Sequence, residues 1–154
     1  MNASVATTAR LSAGARAEAA EAARTQYLTF VCDGQEYGVE ILRVQEVKGW
    51  DRVSRIPQSA AHVLGVMNLR GTIVPVIDLR IRLGLPAREF DAATVVVVVR
   101  AAEGSGTTTV GLVADAVSEV YSLDAHQCSP PPAESLGEQG PCISGIATVD
   151  DKLL

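Results

Sequence analysis

Aromatic side chains are nearly missing, at 4% of the 154 residues. A core without rings must be aliphatic, and the 47% hydrophobic content, chiefly Val, Leu, Ile and Ala, can supply one. The length suits one compact domain or two small barrels sharing a chain. Cysteine is scarce and odd in number. Cys32, Cys128 and Cys142 stand far apart with no CxxC. That pattern excludes a disulfide framework and predicts a reduced, cytoplasmic protein with free, mostly buried thiols. No apolar run is long enough to span a bilayer, and the N-terminus has no signal-like apolar region. Basic charge is not in excess. The net charge is −5 and the basic residues are scattered, which argues against nucleic acid or an anionic membrane as the main partner.

What is present reads as short strands. The central stretch is Gly65 to Leu79, GVMNLRGTIVPVIDL. Two apolar runs flank Arg70-Gly71, and a glycine free to take positive φ lets the chain reverse there. Ile73, Pro75, Ile77 and Leu79 share one side of an extended strand; Thr72, Val74, Val76 and Asp78 share the other. Pro75 has no backbone N–H, so this strand is expected at a sheet edge or with a bulge. Arg70 sits at the tip. It is free either to fork onto a partner's carboxylate or to fold back onto Asp78 or Glu46.

Before this hairpin, residues 1–25 are expected to be a disordered tail, helix-prone through alanine but with almost nothing large to bury. Tyr27–Cys32 and Tyr37–Ile41 alternate around Asp33-Gly34, a strong hairpin signal. Ile41–Val47 predicts a short helical turn leading into a strand, and Ala60–Leu64 another helical turn. After the hairpin, Arg80–Leu85 predicts one helical turn stopped by Gly84 and Pro86. Val95–Val99 is a continuous β-branched run, as in a strand buried on both faces. Glu103–Thr108 reads as a turn-rich loop. Val110–Leu123 returns as one or two strands, its second half ambiguous with helix. Pro130–Pro132 is a stiff connector, Glu134–Pro141 a flexible stretch, Cys142–Val149 a strand, and Asp150-Asp151 a turn. Many short strands with little helix mean an all-β fold of small barrels.

Catalytic and metal chemistry is not assembled. Gly104–Thr107 lacks phosphate-loop spacing and has no helix behind it. His126-x-Cys128 has no second ligand pair. Asp78 and Asp115 suit turn or bulge acceptors better than an acid/base pair. No nucleophile, base and oxyanion hole converge, so neither an enzyme nor a cofactor or metal site is expected.

The motifs EYGV at 36–39, VQEV at 44–47, NLRG followed by PVIDLR, VGLVAD at 110–115 and VSEV at 117–120 recur in an order that resembles the CheW family of chemotaxis adaptors, from about Gln26 onward. The resemblance implies one CheW-like domain over 26–154, made of two small SH3-like five-stranded β-barrels with short helical turns. It also implies a further strand and terminal helix past Asp150-Asp151, missing at Leu154. The implied role is a non-catalytic adaptor coupling chemoreceptors to the histidine kinase CheA, soluble and recruited to membrane arrays. A chemotaxis-like pathway with another output such as surface motility is the alternative, with an SH3-like-barrel enzyme behind it. Residues carried over as receptor-binding are Val44, Glu46, Gly65, Val66, Met67, Asn68, Arg70 and Gly71. Core packing and backbone geometry compete for Val44 and Gly65. The motifs do not place the face that meets CheA's regulatory domain.

Overall fold

The computed structural model describes residues 24–132 and 143–154. The tail before residue 24, the 134–141 stretch and Cys142 lie outside the described residues. Among the described residues eleven strands carry the fold: β1 (Thr25–Cys32), β2 (Gln35–Glu40), β3 (Val44–Gly49), β4 (Val63–Leu69), β5 (Thr72–Asp78), β6 (Val95–Glu103), β7 (Gly106–Ala114), β8 (Ala116–Leu123), β9 (Cys128–Ser129), β10 (Ile146–Val149) and β11 (Lys152–Leu153). Among the described residues helix is confined to α1 (Leu79–Arg82) and the 3-10 turns Ile41–Arg43 and Ala125–Gln127.

The strands form a five-stranded sheet, β3-β6-β7-β5-β4, and two three-stranded sheets, β2-β1-β8 and β11-β10-β9. In the first sheet only β5 and β7 run parallel. The all-β expectation therefore holds. The remaining strands of the described residues lie in the two three-stranded sheets, one from β1, β2 and β8 and one from β9, β10 and β11.

β6 explains how so few aromatics suffice. Val96, Val97 and Val98 are fully buried and Val99 nearly so. Period-2 alternation sends Val96 and Val98 into one core, with Met67, Val74, Val76 and Val113. It sends Val97 and Val99 into the other, with Phe30, Cys32 and Ala114. One β-branched strand thus serves two mainly aliphatic cores, as the run predicted.

The hairpin turns follow local chemistry. Asp33 and Gly34 have φ of 53° and 75°, Arg70 and Gly71 of 52° and 88°, and Asp150 and Asp151 of 48° and 65°. Two successive positive φ values match the twist of the flanking strands. Three expectations change. Ala60–Leu64 is a plain turn, Val63 N–H donating to Ala60 O at 3.0 Å, because β4 already begins at Val63 to pair with Ile77. Residues 103–108 are mostly strand, as β6 and β7 pair as far as Glu103 and Gly106. β5 is an inner strand, not an edge; β7 joins it only from Val76, one residue past Pro75, so the missing N–H falls where that side is still open.

Candidate functional site

The tip of the β4–β5 hairpin is built by its turn. Asn68 Oδ1 accepts the Gly71 N–H at 2.8 Å and closes the loop from inside. Arg70 is thereby held in a left-handed conformation with its side chain 85% exposed. Opposite it, β3 pairs with β6 through Val44↔Val99 and Glu46↔Val98, with a register shift between them. That shift sets Glu46 beside the hairpin, and Arg70 Nη2 lies 3.1 Å from Glu46 Oε2. The pair borders a cavity of about 290 Å³ lined by Gln45, Leu69, Thr72, Val74 and Thr109. The corner carries an exposed cation, a half-buried carboxylate and hydroxyl and amide groups, an arrangement suited to orienting a protein surface by charge.

The remaining residues of the expected set separate. Val44 is half-buried and packs on the Phe30 core. Met67 is 6% exposed in the other core, so it is not a groove contact. Gly65 and Met67, on one side of β4, are buried, while the neighbouring Val66 is half-buried and Asn68 exposed. Gly65 is a backbone requirement. A Cβ there would lie 2.2 Å from Ser54 O, and Ser54 and Val66 exchange two backbone hydrogen bonds of 2.8 Å at this crossing. Glu46, Asn68, Arg70 and Gly71 are the members brought together.

A second polar cluster escaped the sequence reading. Arg80, in α1, is 6% exposed. Its Nε donates to Asp115 Oδ1 at 2.7 Å and its Nη2 to Oδ2 at 2.6 Å. Its Nη1 donates to Pro86 O at 2.9 Å and lies 3.5 Å from Asp33 Oδ1. Asp115 Oδ2 also accepts the Asp33 N–H at 2.9 Å, and Arg88 approaches it at 3.6 Å. The bidentate guanidinium holds the Asp115 carboxyl below its ordinary pKa, and Asp115 in turn raises that of Arg80. Asp78 Oδ1 accepts the Arg80 N–H at the start of α1; burial nevertheless pushes its carboxyl upward. Both aspartates act as acceptors, as their strand-end positions suggested. The cluster ties the β1–β2 turn to α1 and the β7–β8 junction. The signal available was the pairing of PVIDLR with VGLVAD.

The thiols of Cys32 and Cys128 are free, the first fully buried and pushed up in pKa by that burial. Among the described residues no helix is long and apolar enough to cross a membrane, and no three His, Cys, Asp or Glu side chains are grouped to hold a metal.

A CheW-like domain model matches residues 26–154. The chain is 38% identical over 136 residues to chemotaxis protein CheW of Klebsiella aerogenes, covering 88% of this chain and 80% of that one. It is 28% identical over 127 residues to chemotaxis protein CheW of Bacillus subtilis, covering 82% and 79%. The crystal structure of the scaffolding protein TtCheW from Thermoanaerobacter tengcongensis superposes with a TM-score of 0.73 at 32% identity, covering 84% of this chain and 86% of that one.

Proposed function

The chain belongs to the CheW family, and from that premise we infer that it is a non-catalytic adaptor of chemotaxis signalling that couples chemoreceptors to the histidine kinase CheA. The observation that carries the receptor half is the Arg70–Glu46 corner. A guanidinium 85% exposed on a two-residue turn contributes little to packing, so its value lies in what it meets outside the chain. The receptor's cytoplasmic tip would dock there, with Val66, Asn68 and Gly71 shaping the contact and Val44 and Gly65 supporting it from behind. CheA's regulatory domain would take a separate face. The adaptor would work in the cytoplasm and reach the membrane only by recruitment to receptor arrays.

The test is a pull-down of purified chain with a receptor cytoplasmic fragment and, separately, with the CheA regulatory domain. Retention of both is expected. Retention of neither would sink the reading.

A further inference from the structure

We propose that the β3–β4 connection, residues 50–62, is a docking surface for an acidic segment of a partner protein, one that presents an apolar side chain between carboxylates. The surface stands on its own observations and does not rest on the adaptor reading. β3 ends at Gly49, β4 begins at Val63 and β6 begins at Val95, so the connection closes the end of the five-stranded sheet opposite the Arg70 turn. It joins the two strands with no strand or helix of its own. A connection this long is usually either functional or loose.

This one is tied down along its length. Trp50 N–H donates to Thr94 O at 3.1 Å, and its ring meets that of Phe90 with centroids 4.3 Å apart. Ser54 and Val66 exchange their two backbone hydrogen bonds, and Arg55 Cα lies 3.2 Å from where a Gly65 Cβ would stand. Ser59 Oγ donates to Ile56 O at 3.0 Å across a turn in which Gln58 has a φ of 60°. Val53 joins Trp50 and Phe90 on the Met67 core. Ile56, three residues on, stays 43% exposed. An aliphatic side chain presented from a fixed backbone loses little freedom on entering a partner's pocket.

Charge selects the occupant. Residues 48–62 carry Lys48, Arg52 and Arg55 against Asp51 alone, in a chain of net charge −5. Arg43, Arg70, Arg80 and Arg88 each meet a carboxylate, whereas Lys48, Arg52 and Arg55 have no ion-pair partner among the described residues. Asp51 Oδ1 accepts the Arg52 backbone N–H at 2.7 Å, a contact that does not engage the guanidinium. Arginine and aromatic side chains around an exposed aliphatic one have the composition of an interface centre. The guanidinium fork matches a carboxylate, so the complement is an acidic protein face with an apolar residue at its middle. Nucleic acid is disfavoured by the negative charge of the rest of the chain.

A displayed library of random linear peptides, panned against the purified chain, tests this. Enriched peptides should place Asp or Glu on both sides of a Leu, Ile or Phe. A tryptophan-free consensus peptide should shift the emission of Trp50, the chain's one tryptophan, which stands at this end of the sheet. Ile56→Asp and the double substitution Arg52→Gln/Arg55→Gln should each weaken that peptide about tenfold or more. Their urea midpoints should match wild type, because all three side chains are exposed. The double variant should also flatten the salt dependence of binding. Arg100→Gln, an exposed cation without an ion pair at the other end of the β6–β3 pairing, should leave the affinity unchanged. No enrichment, enrichment without acidic residues, an unmoved Trp50 emission, or an equal loss with Arg100→Gln would each overturn the proposal. So would binding to phosphatidylglycerol vesicles that the double variant abolishes, since the connection would then meet a membrane.

Discussion

Arg70 and Arg80 both meet a carboxylate, and they teach opposite lessons. Arg80 is 8% exposed in its side chain and Asp115 14%; the two are joined by two short hydrogen bonds, with Pro86 O taking a third. Arg70 is 85% exposed and meets Glu46 at a single 3.1 Å contact. In the first pair the ions have already left water, so each depends on the other. In the second, solvent screens the attraction and the guanidinium keeps its freedom. The buried pair is architecture. The exposed pair is a surface that can exchange its partner.

The comparison breaks first at Arg80. Arg80→Ala leaves Asp115 facing Asp33 and Asp78 with only Arg88 nearby, and removes the donor to Pro86 O. Losing one partner of a buried pair costs about 3–5 kcal/mol, and the partial access at Asp115 puts the expectation near the lower figure. For a chain of this length that is a melting-temperature loss of about 10 °C, read by circular dichroism or calorimetry. Arg80→Met should be milder, because it fills the space without restoring the charge. A loss below about 1 kcal/mol would mean that the pair does not hold the β1–β2 turn.

Acid titration sharpens the same contrast. Asp115 has a depressed folded pKa, so its contribution is complete above the ordinary carboxylate value near 3.8 and is lost as pH falls through the folded value. Asp78 has a raised folded pKa, so the folded state binds its proton first, and stability falls as pH rises from 3.8 through that raised value. Urea midpoints measured downward from pH 7 should therefore rise slightly as Asp78 protonates and then drop below about pH 4 as Asp115 does. Asp78→Asn should remove the rise, and Asp115→Asn the acid drop.

These two pairs also mark how far the sequence could be read. Turns are local, so Asp33-Gly34, Arg70-Gly71 and Asp150-Asp151 announce themselves through residues that tolerate positive φ. The Val95–Val99 run announces burial on both faces, because no polar residue interrupts it. The Arg70–Glu46 contact was visible as one of two alternatives, since both residues lie in recognisable motifs. Arg80–Asp115 was not, because 35 residues separate them and only the fold brings α1 to the β7–β8 junction. Met67 shows another limit. An apolar residue in a functional motif can face a partner or the core, and the register of β4 decides which. The inner place of β5 escaped because Pro75 reports only its own missing donor, not where β7 joins.

At the exposed corner, Arg70→Ala should weaken receptor-fragment binding by about 1.5–3 kcal/mol, the range for a hydrogen bond to a charged group. Its urea midpoint should stay within about 0.5 kcal/mol of wild type. Arg70→Lys should rescue only part of the binding, since an ammonium keeps the charge but loses the planar fork. Isothermal titration beside urea unfolding reads both numbers on one preparation. A stability loss as large as the binding loss would make Arg70 structural.

The smallest effect is the intramolecular pair itself. A double-mutant cycle of Arg70→Ala and Glu46→Ala on stability should give a coupling of about 0.2–1 kcal/mol, the range for exposed ion pairs. Glu46 is 25% exposed, which places the expectation in the upper part of that range. High salt should reduce the coupling, because the Debye length falls to about 3 Å at 1 M and Arg70 stands in open solvent. The same salt should leave the Arg80–Asp115 coupling nearly unchanged, because ions do not reach it. If the Arg70 coupling exceeded about 2 kcal/mol or ignored salt, the guanidinium would be fixed in place by Glu46. A partner's carboxylate would then have to displace a strong internal contact, and the corner would be a closed latch instead of an open surface.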